Sequence, residues 1–304
     1  RFYEQRDEYL YQTTKGDDHV LVPVRGDRSH ATVALAAHLA SAHDAGKIVL
    51  IDVLDDGAVE TARADLAGEG PDDTSDDQAR DDVDETEVIT DDEAREFAAA
   101  EAATALEGRA RTIGESFDVP CEVIVAFGGG DPGETVLDAA IEANCDLIVT
   151  PYEERDDGSA GFVRTLLGGE TDVLVHSSES GRTTWSSALV PVRKAGDVAH
   201  AMIDFAGRLV DGGEVGVCHS IGSGRKRRSA EEMLANLAET ATAGIETRVT
   251  ETPIETFLER NDDRYDIVFL GASTDRSAAS RFVSKPTFQR VSDLDADVAI
   301  VHRG

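Results

Sequence analysis

Apolar residues in this chain come in short runs of four to six, separated by longer stretches in which they recur every three or four positions. The run His19-Val-Leu-Val-Pro-Val24 predicts a strand, and Val33, Leu35, Ala36 and Leu39 lay an apolar stripe along a helix over about 30–45, which Gly46 ends. Lys47-Ile-Val-Leu-Ile-Asp-Val53 follows as a second strand, apolar on both sides as a strand covered on both faces must be. An alanine-rich helix is predicted from about Asp91 to Ser116, then a strand over 121–126 that ends at Gly128-Gly-Gly130. Asp131-Pro132 opens the next helix, with proline in the first turn. Strands at 146–151 and 172–176 complete this half. Residues 187–302 repeat the order, with strands near 187–192, 214–220, 245–250, 266–271 and 297–302, and helices over about 197–211, 227–243, 252–262 and 285–293.

The repeat is visible residue by residue. Pro23 and Pro191 stand 168 positions apart in Val-Pro-Val strands, each followed by arginine (Arg25, Arg193), and both halves contain a strand that begins with aspartate, Asp146 and Asp266. Five strands alternating with helices in each half imply an α/β fold: two tandem doubly wound domains, each a five-stranded parallel sheet with helices on both faces. The boundaries expected are a lead-in at 1–17, a first domain at 18–178, a linker at 179–184 and a second domain at 185–304. Residues 55–90 show no clear period and read as an acidic, solvated insertion in the first domain.

Charge changes the picture more than composition does. The chain has 29 basic and 61 acidic residues, a net charge of −32, with five lysines among the 29. Residues 55–93 hold 17 acids and two arginines, so nearly half the excess lies there and the rest is general. Such a chain repels itself when the Debye length is about 10 Å, and far less at about 1 M salt, where that length is near 3 Å. A halophilic origin is the expectation. The same field disfavours nucleic acid as a partner. No run reaches the roughly 18 apolar residues of a membrane span, and the expectation is that no secretory signal peptide operates. Cys121, Cys145 and Cys218 lack metal or redox spacing and read as buried thiols in a reducing cytoplasm. The histidines, among them His30, His38, His43 and His219, lack zinc-site spacing.

In open parallel sheets ligands bind at the carboxyl ends of the strands, where strand order reverses. Those ends are Arg25-Gly-Asp27 and Pro151 to Gly158 in the first half, and Arg193-Lys-Ala195 and Gly271-Ala-Ser-Thr274 in the second. The compact basic cluster Arg225-Lys-Arg-Arg228 lies between the second strand of the second half and the helix that follows. It suits an anionic ligand, an acidic segment or an anionic lipid surface, or is a solvated loop.

Both halves resemble universal stress protein domains. The likeness rests on the Val-Pro-Val strands, on Gly130-Asp-Pro-Gly-Glu-Thr-Val-Leu-Asp-Ala-Ala140, Cys145-Asp-Leu-Ile-Val149 and Arg164-Thr-Leu-Leu-Gly-Gly169, and on Tyr265-Asp-Ile-Val-Phe-Leu-Gly-Ala-Ser273 with Ser280-Arg-Phe282. Members that bind ATP, the resemblance implies, carry an aspartate after the first strand, then Gly-x-x-Gly, nine residues and Gly-Ser or Gly-Thr after the fourth. Here Arg25 and Arg193 replace the aspartates. The first cleft keeps Gly158 and Gly168, but Arg155 stands in place of the leading glycine and Gly169 in place of the hydroxyl. Glu153 and Glu154, with Asp156 and Asp157, would repel phosphates, and Asp27 lies two residues after Arg25 in the same cleft. The second cleft keeps Gly271, but Thr274 replaces the next glycine and Ser284-Lys285 the closing pair. ATP or another nucleotide is therefore expected less in the first half than in the second, where Arg193, Lys194, Ser273 and Thr274 could also face a different anion. No cofactor is the leading expectation.

The resemblance further implies a pseudo-dimer of the two halves through their last strands, and a homodimer as a further association. It also likens the chain to cytosolic regulatory tails of membrane transporters. A start at Arg1 rather than methionine reads as a segment of a longer polypeptide, cytoplasmic and tethered to the inner membrane face. The leading function is a non-enzymatic regulatory or sensing module. The alternatives are a free-standing nucleotide-binding stress protein and, least favoured, a phosphoryl-transfer enzyme, since no activated nucleophile is evident.

Overall fold

The computed structural model describes residues 18–24, 29–68, 89–152, 159–222, 226–272 and 294–304. Ten strands form one sheet. In the first half they are β1 (His19–Pro23), β2 (Lys47–Leu54), β3 (Cys121–Phe127), β4 (Leu147–Pro151) and β5 (Asp172–Ser177). In the second they are β6 (Ser187–Pro191), β7 (Glu214–Ser220), β8 (Ile245–Thr250), β9 (Ile267–Gly271) and β10 (Asp297–His302). Their order is β3-β2-β1-β4-β5-β10-β9-β6-β7-β8. Each half is a parallel block with the same internal order, and β5 and β10 run antiparallel where the blocks meet, Val175 opposite Ile300.

The helices are α1 (His30–Ser41), α2 (Asp56–Leu66), α3 (Asp91–Phe117), α4 (Pro132–Glu142), α5 (Ser159–Leu166), α6 (Asp197–Val210), α7 (Arg227–Thr240) and α8 (Ile254–Glu259). They cover both faces, so the central strands are apolar without alternation: Val20, Leu21 and Val22 of β1 are wholly buried. On one face a single apolar core runs from α1 and α3 across the junction to α6 and α7, through Leu174, Trp185, Ala299 and Val301. On the other face the core is divided into two. One part gathers α4 and α5 over Ile148 and Val175, and the other places Phe257, Leu258 and Tyr265 over Leu189 and Val268.

Three local features explain the boundaries. Thr90 and Glu93 form a reciprocal capping box that starts α3, and three acids in its first turn suit the helix dipole. Asp131 starts α4 by accepting from the Gly133 N–H at 2.9 Å. Asp266 fixes the approach to β6: its carboxylate accepts from Ser186 N and Oγ, both at 2.8 Å, and from Arg182 Nη1 at 2.6 Å. The strand-opening aspartate of the second half therefore pins the preceding linker.

One expectation is corrected. The stretch 55–90 is not structureless throughout, because 56–66 form α2. Asp55 caps it by accepting from the Ala58 N–H at 2.9 Å, and Val59 and Ala62 are buried where α2 packs on α3. Two small apolar residues three apart suffice to seat this helix, too short a stripe to stand out among acids. Residues 69–88, and the helix expected over 285–293, lie outside the described residues. The remaining element types agree with the sequence pattern, with ends shifted by a few residues.

Candidate functional site

The strand order reverses between β1 and β4 in the first half and between β6 and β9 in the second, which places two clefts above the carboxyl ends of those strands. Several expected cleft residues lie outside the described residues: Arg25, Asp27, Glu153, Glu154, Arg155 and Gly158 in the first half, and Ser273, Thr274, Ser284 and Lys285 in the second. The described ones are Pro151, Gly168, Gly169, Arg193, Lys194 and Gly271.

Packing explains two of the glycines. A Cβ on Gly169 would lie 2.5 Å from Leu137 Cδ2, so the missing side chain lets the end of α5 close against α4. That contact is tightened where Thr165 Oγ1 donates to Asp131 Oδ2 at 2.6 Å. A Cβ on Gly271 would lie 2.8 Å from Val198 Cγ1 and 3.4 Å from Met202 Cε, so α6 rests directly on the end of β9. Both positions have an intramolecular reason to be glycine. Pro151 is buried at the end of β4. Arg193 and Lys194, by contrast, are exposed just past β6, beside the start of α6. They are the described cations best placed to meet an anion in the second cleft.

Sequence reasoning missed a polar group that the fold assembles under the first cleft and extends into the junction. His176, at the end of β5, is 1% exposed, and its Nδ1 lies 3.0 Å from the Thr32 hydroxyl of α1. Its Nε2 lies 3.8 Å from Asp297 Oδ2, beyond hydrogen-bond reach. Asp297, the first residue of β10, is 2% exposed and accepts from Trp185 Nε1 at 2.9 Å and Ser180 Oγ at 3.3 Å. Burial opposes its charge, but His176 and donation from Ser178 and Trp185 outweigh that and hold the carboxyl below its ordinary value. Trp185 packs edge-on against both His176 and His38 at 5.9 Å between ring centroids. Burial pushes the His38 imidazole down, against opposing effects of its bond to the Thr183 carbonyl, at 3.2 Å, and of Asp211. The other end of the junction mirrors this one: Asp172, the first residue of β5, accepts from Gly304 N and pairs with Arg303 Nη1, both at 2.8 Å. Each last strand thus begins with a buried aspartate that holds the far end of the opposite strand. The signal was present in the sequence as Asp172 and Asp297 at matching places.

The other candidates carry less chemistry. Arg227 and Arg228 pair at i,i+4 with Glu231 and Glu232 at exposed positions, and Arg225 lies outside the described residues. His219 Nδ1 lies 2.7 Å from the Val192 carbonyl oxygen. Among the described residues no group of acids, histidines and cysteines could hold a metal. No described helix is long and apolar enough to cross a membrane.

The family model described as "Universal stress protein family" matches residues 18–180, just over half of the chain. The chain belongs to the universal stress protein family. Its fold is also that of a universal stress protein from Archaeoglobus fulgidus DSM 4304, with a TM-score of 0.64 and 15% identity over 95% of this chain and 97% of that one. The cytoplasmic domain of a prokaryotic cation chloride cotransporter is similar at a TM-score of 0.54 and 12% identity, covering 93% of this chain and 95% of that one. None of the curated proteins compared with the chain matches it.

Proposed function

We propose that this member of the universal stress protein family is a non-enzymatic regulatory module made of two stress-protein-like halves, 18–178 and 185–304, which act as one internally paired unit. The observation that carries the reading is the antiparallel β5–β10 junction with its two buried aspartates. It makes the relative placement of the halves a property of the chain, and the buried Thr32–His176–Asp297 chain lies between the first cleft and that junction. Change at one cleft then has a physical route to the packing of the halves. Similarity to a transporter's cytoplasmic domain supports a role as the cytosolic, membrane-tethered part of a transporter, and the net charge of −32 supports a halophile as its source. Packing reasons for Gly169 and Gly271 support clefts in which the phosphate-gripping pattern has decayed.

A second reading has its own support: a free-standing stress protein that takes a nucleotide in its second half. Arg193 and Lys194 stand exposed beside that cleft, and the Archaeoglobus protein is matched over almost its full length. Thermal unfolding with ATP, AMP and cyclic dinucleotides in molar KCl separates the two. Ligand at 100 times its Kd adds about 2.7 kcal/mol, a shift that is easily read. The leading reading expects no shift with ATP. A shift that disappears in Arg193→Ala/Lys194→Ala supports the second.

A further inference from the structure

Among the described residues the sheet ends at β8, which pairs with β7 on its inner side. A free edge offers unpaired backbone groups to any other strand, and proteins blunt such edges with proline, a bulge or charged side chains. The two charges on β8 are of opposite sign, so they discourage most strands but complement a second β8 run antiparallel. Its sequence, Ile245-Glu-Thr-Arg-Val-Thr250, is symmetric in character about Thr247: apolar, acidic, hydroxyl, basic, apolar. Glu246, Thr247 and Arg248 are exposed, while Ile245 and Val249 are half-buried on the face shared with α7.

We propose that β8 is a homodimer interface, pairing antiparallel with β8 of a second copy about a two-fold axis at Thr247. In that register Glu246 stands opposite Arg248 of the second copy, Arg248 opposite its Glu246, and Ile245 opposite its Val249. The charges select the register. Sliding two residues either way puts Glu246 opposite Glu246 or Arg248 opposite Arg248, and cross-strand like charges destabilise. An isologous pairing of this kind closes on itself and leaves no edge for further growth on that side. Within one chain the same side chains are weakly engaged: Arg248 Nη2 lies 3.7 Å from Glu246 Oε1, and Arg264 Nη2 lies 3.4 Å from Glu246 Oε2, both at exposed positions.

The groove beside the strand fits the same occupant. About 300 Å³ of open space lies between α7 and β8, lined by Arg227, Glu231, Leu234, Thr247, Arg248 and Val249. Arg227 and Glu231 pair with each other within the chain, so the charges on the strand itself carry the selection. The net charge of −32 opposes any self-association in dilute buffer. At about 1 M salt the general repulsion is screened, whereas pairs partly buried in an interface are screened much less.

Sedimentation equilibrium of the full chain in about 1 M KCl tests this. The expected result is a monomer–dimer equilibrium that Arg248→Glu weakens about tenfold or more, because two opposed-charge pairs become like-charge pairs. The double variant Glu246→Arg/Arg248→Glu restores it. A monomer at every concentration overturns the proposal, as does a dimer equally strong in Arg248→Glu. Oxidation of Thr247→Cys supplies an independent readout. Peptide mapping should find position 247 of one copy linked to position 247 of the other, and a wild-type dimer without that link in the variant also overturns the assignment.

Discussion

Truncating Asp297 to alanine should damage the junction more than any surface change of equal size. The carboxylate is 2% exposed and accepts from Trp185 Nε1 at 2.9 Å, and Trp185 is itself 5% exposed. Removal leaves that indole N–H buried without its partner, at about 1–3 kcal/mol, and cancels charge-assisted bonds worth about 1.5–3 kcal/mol each. Part of this is returned, because a desolvated charge no longer has to be held. Taken together, these effects put the expected cost of Asp297→Ala at about 2–4 kcal/mol. Asp297→Asn retains an acceptor for Trp185 and should cost roughly half. The chain has a single tryptophan, so urea unfolding followed by its fluorescence reports on this site directly, and far-UV circular dichroism reports on the rest. The sign with pH is also determined. The folded pKa lies below the unfolded value near 3.9, so the stabilisation is complete above that value and disappears as pH falls through the folded one. The gap between wild type and Asp297→Ala should narrow as pH falls below about 4. A loss under about 1 kcal/mol at pH 7, or a gap that widens in acid, would refute the reasoning.

Two further outcomes follow from packing and burial. Gly271→Ala should destabilise by about 1–3 kcal/mol, because its Cβ meets Val198 at 2.8 Å, and Val198→Ala should relieve most of that in a double-variant cycle; equal cost in both backgrounds would show that the glycine serves something else. Burial pushes the thiols of Cys121 and Cys145 up to about 11 and that of Cys218 to about 12, so all three should react slowly with a thiol-exchange reagent at pH 8 and promptly after unfolding. Fast reaction of all three in the folded protein would count against the buried placement.

Local pattern was enough for the elements themselves. A parallel strand covered on both faces must be apolar without alternation, and β1, β2 and β4 advertise this in Val-Leu-Val, Ile-Val-Leu-Ile and Leu-Ile-Val. The doubling of the order was legible too, since Pro23 and Pro191 occupy the same place at the ends of β1 and β6. Short or weakly striped elements were not. α2 rests on Val59 and Ala62, and only the presence of α3 beneath them makes those two residues a face.

What the chain could not disclose by itself was which long-range partners its polar residues would find. Asp172 and Asp297 were visible as strand openers, but nothing local says that antiparallel β5 and β10 bring each to the far end of the other strand. Thr32, His176 and Trp185 are separated by up to 153 positions, and none has a spacing that betrays the group they form. Likewise nothing local says that Gly169 would face Leu137 or that Gly271 would face Val198. Apolar periodicity is a short-range property set by the backbone repeat, so it can be read along the chain. Buried polar pairing is a property of the assembled sheet, so tertiary structure alone decides it.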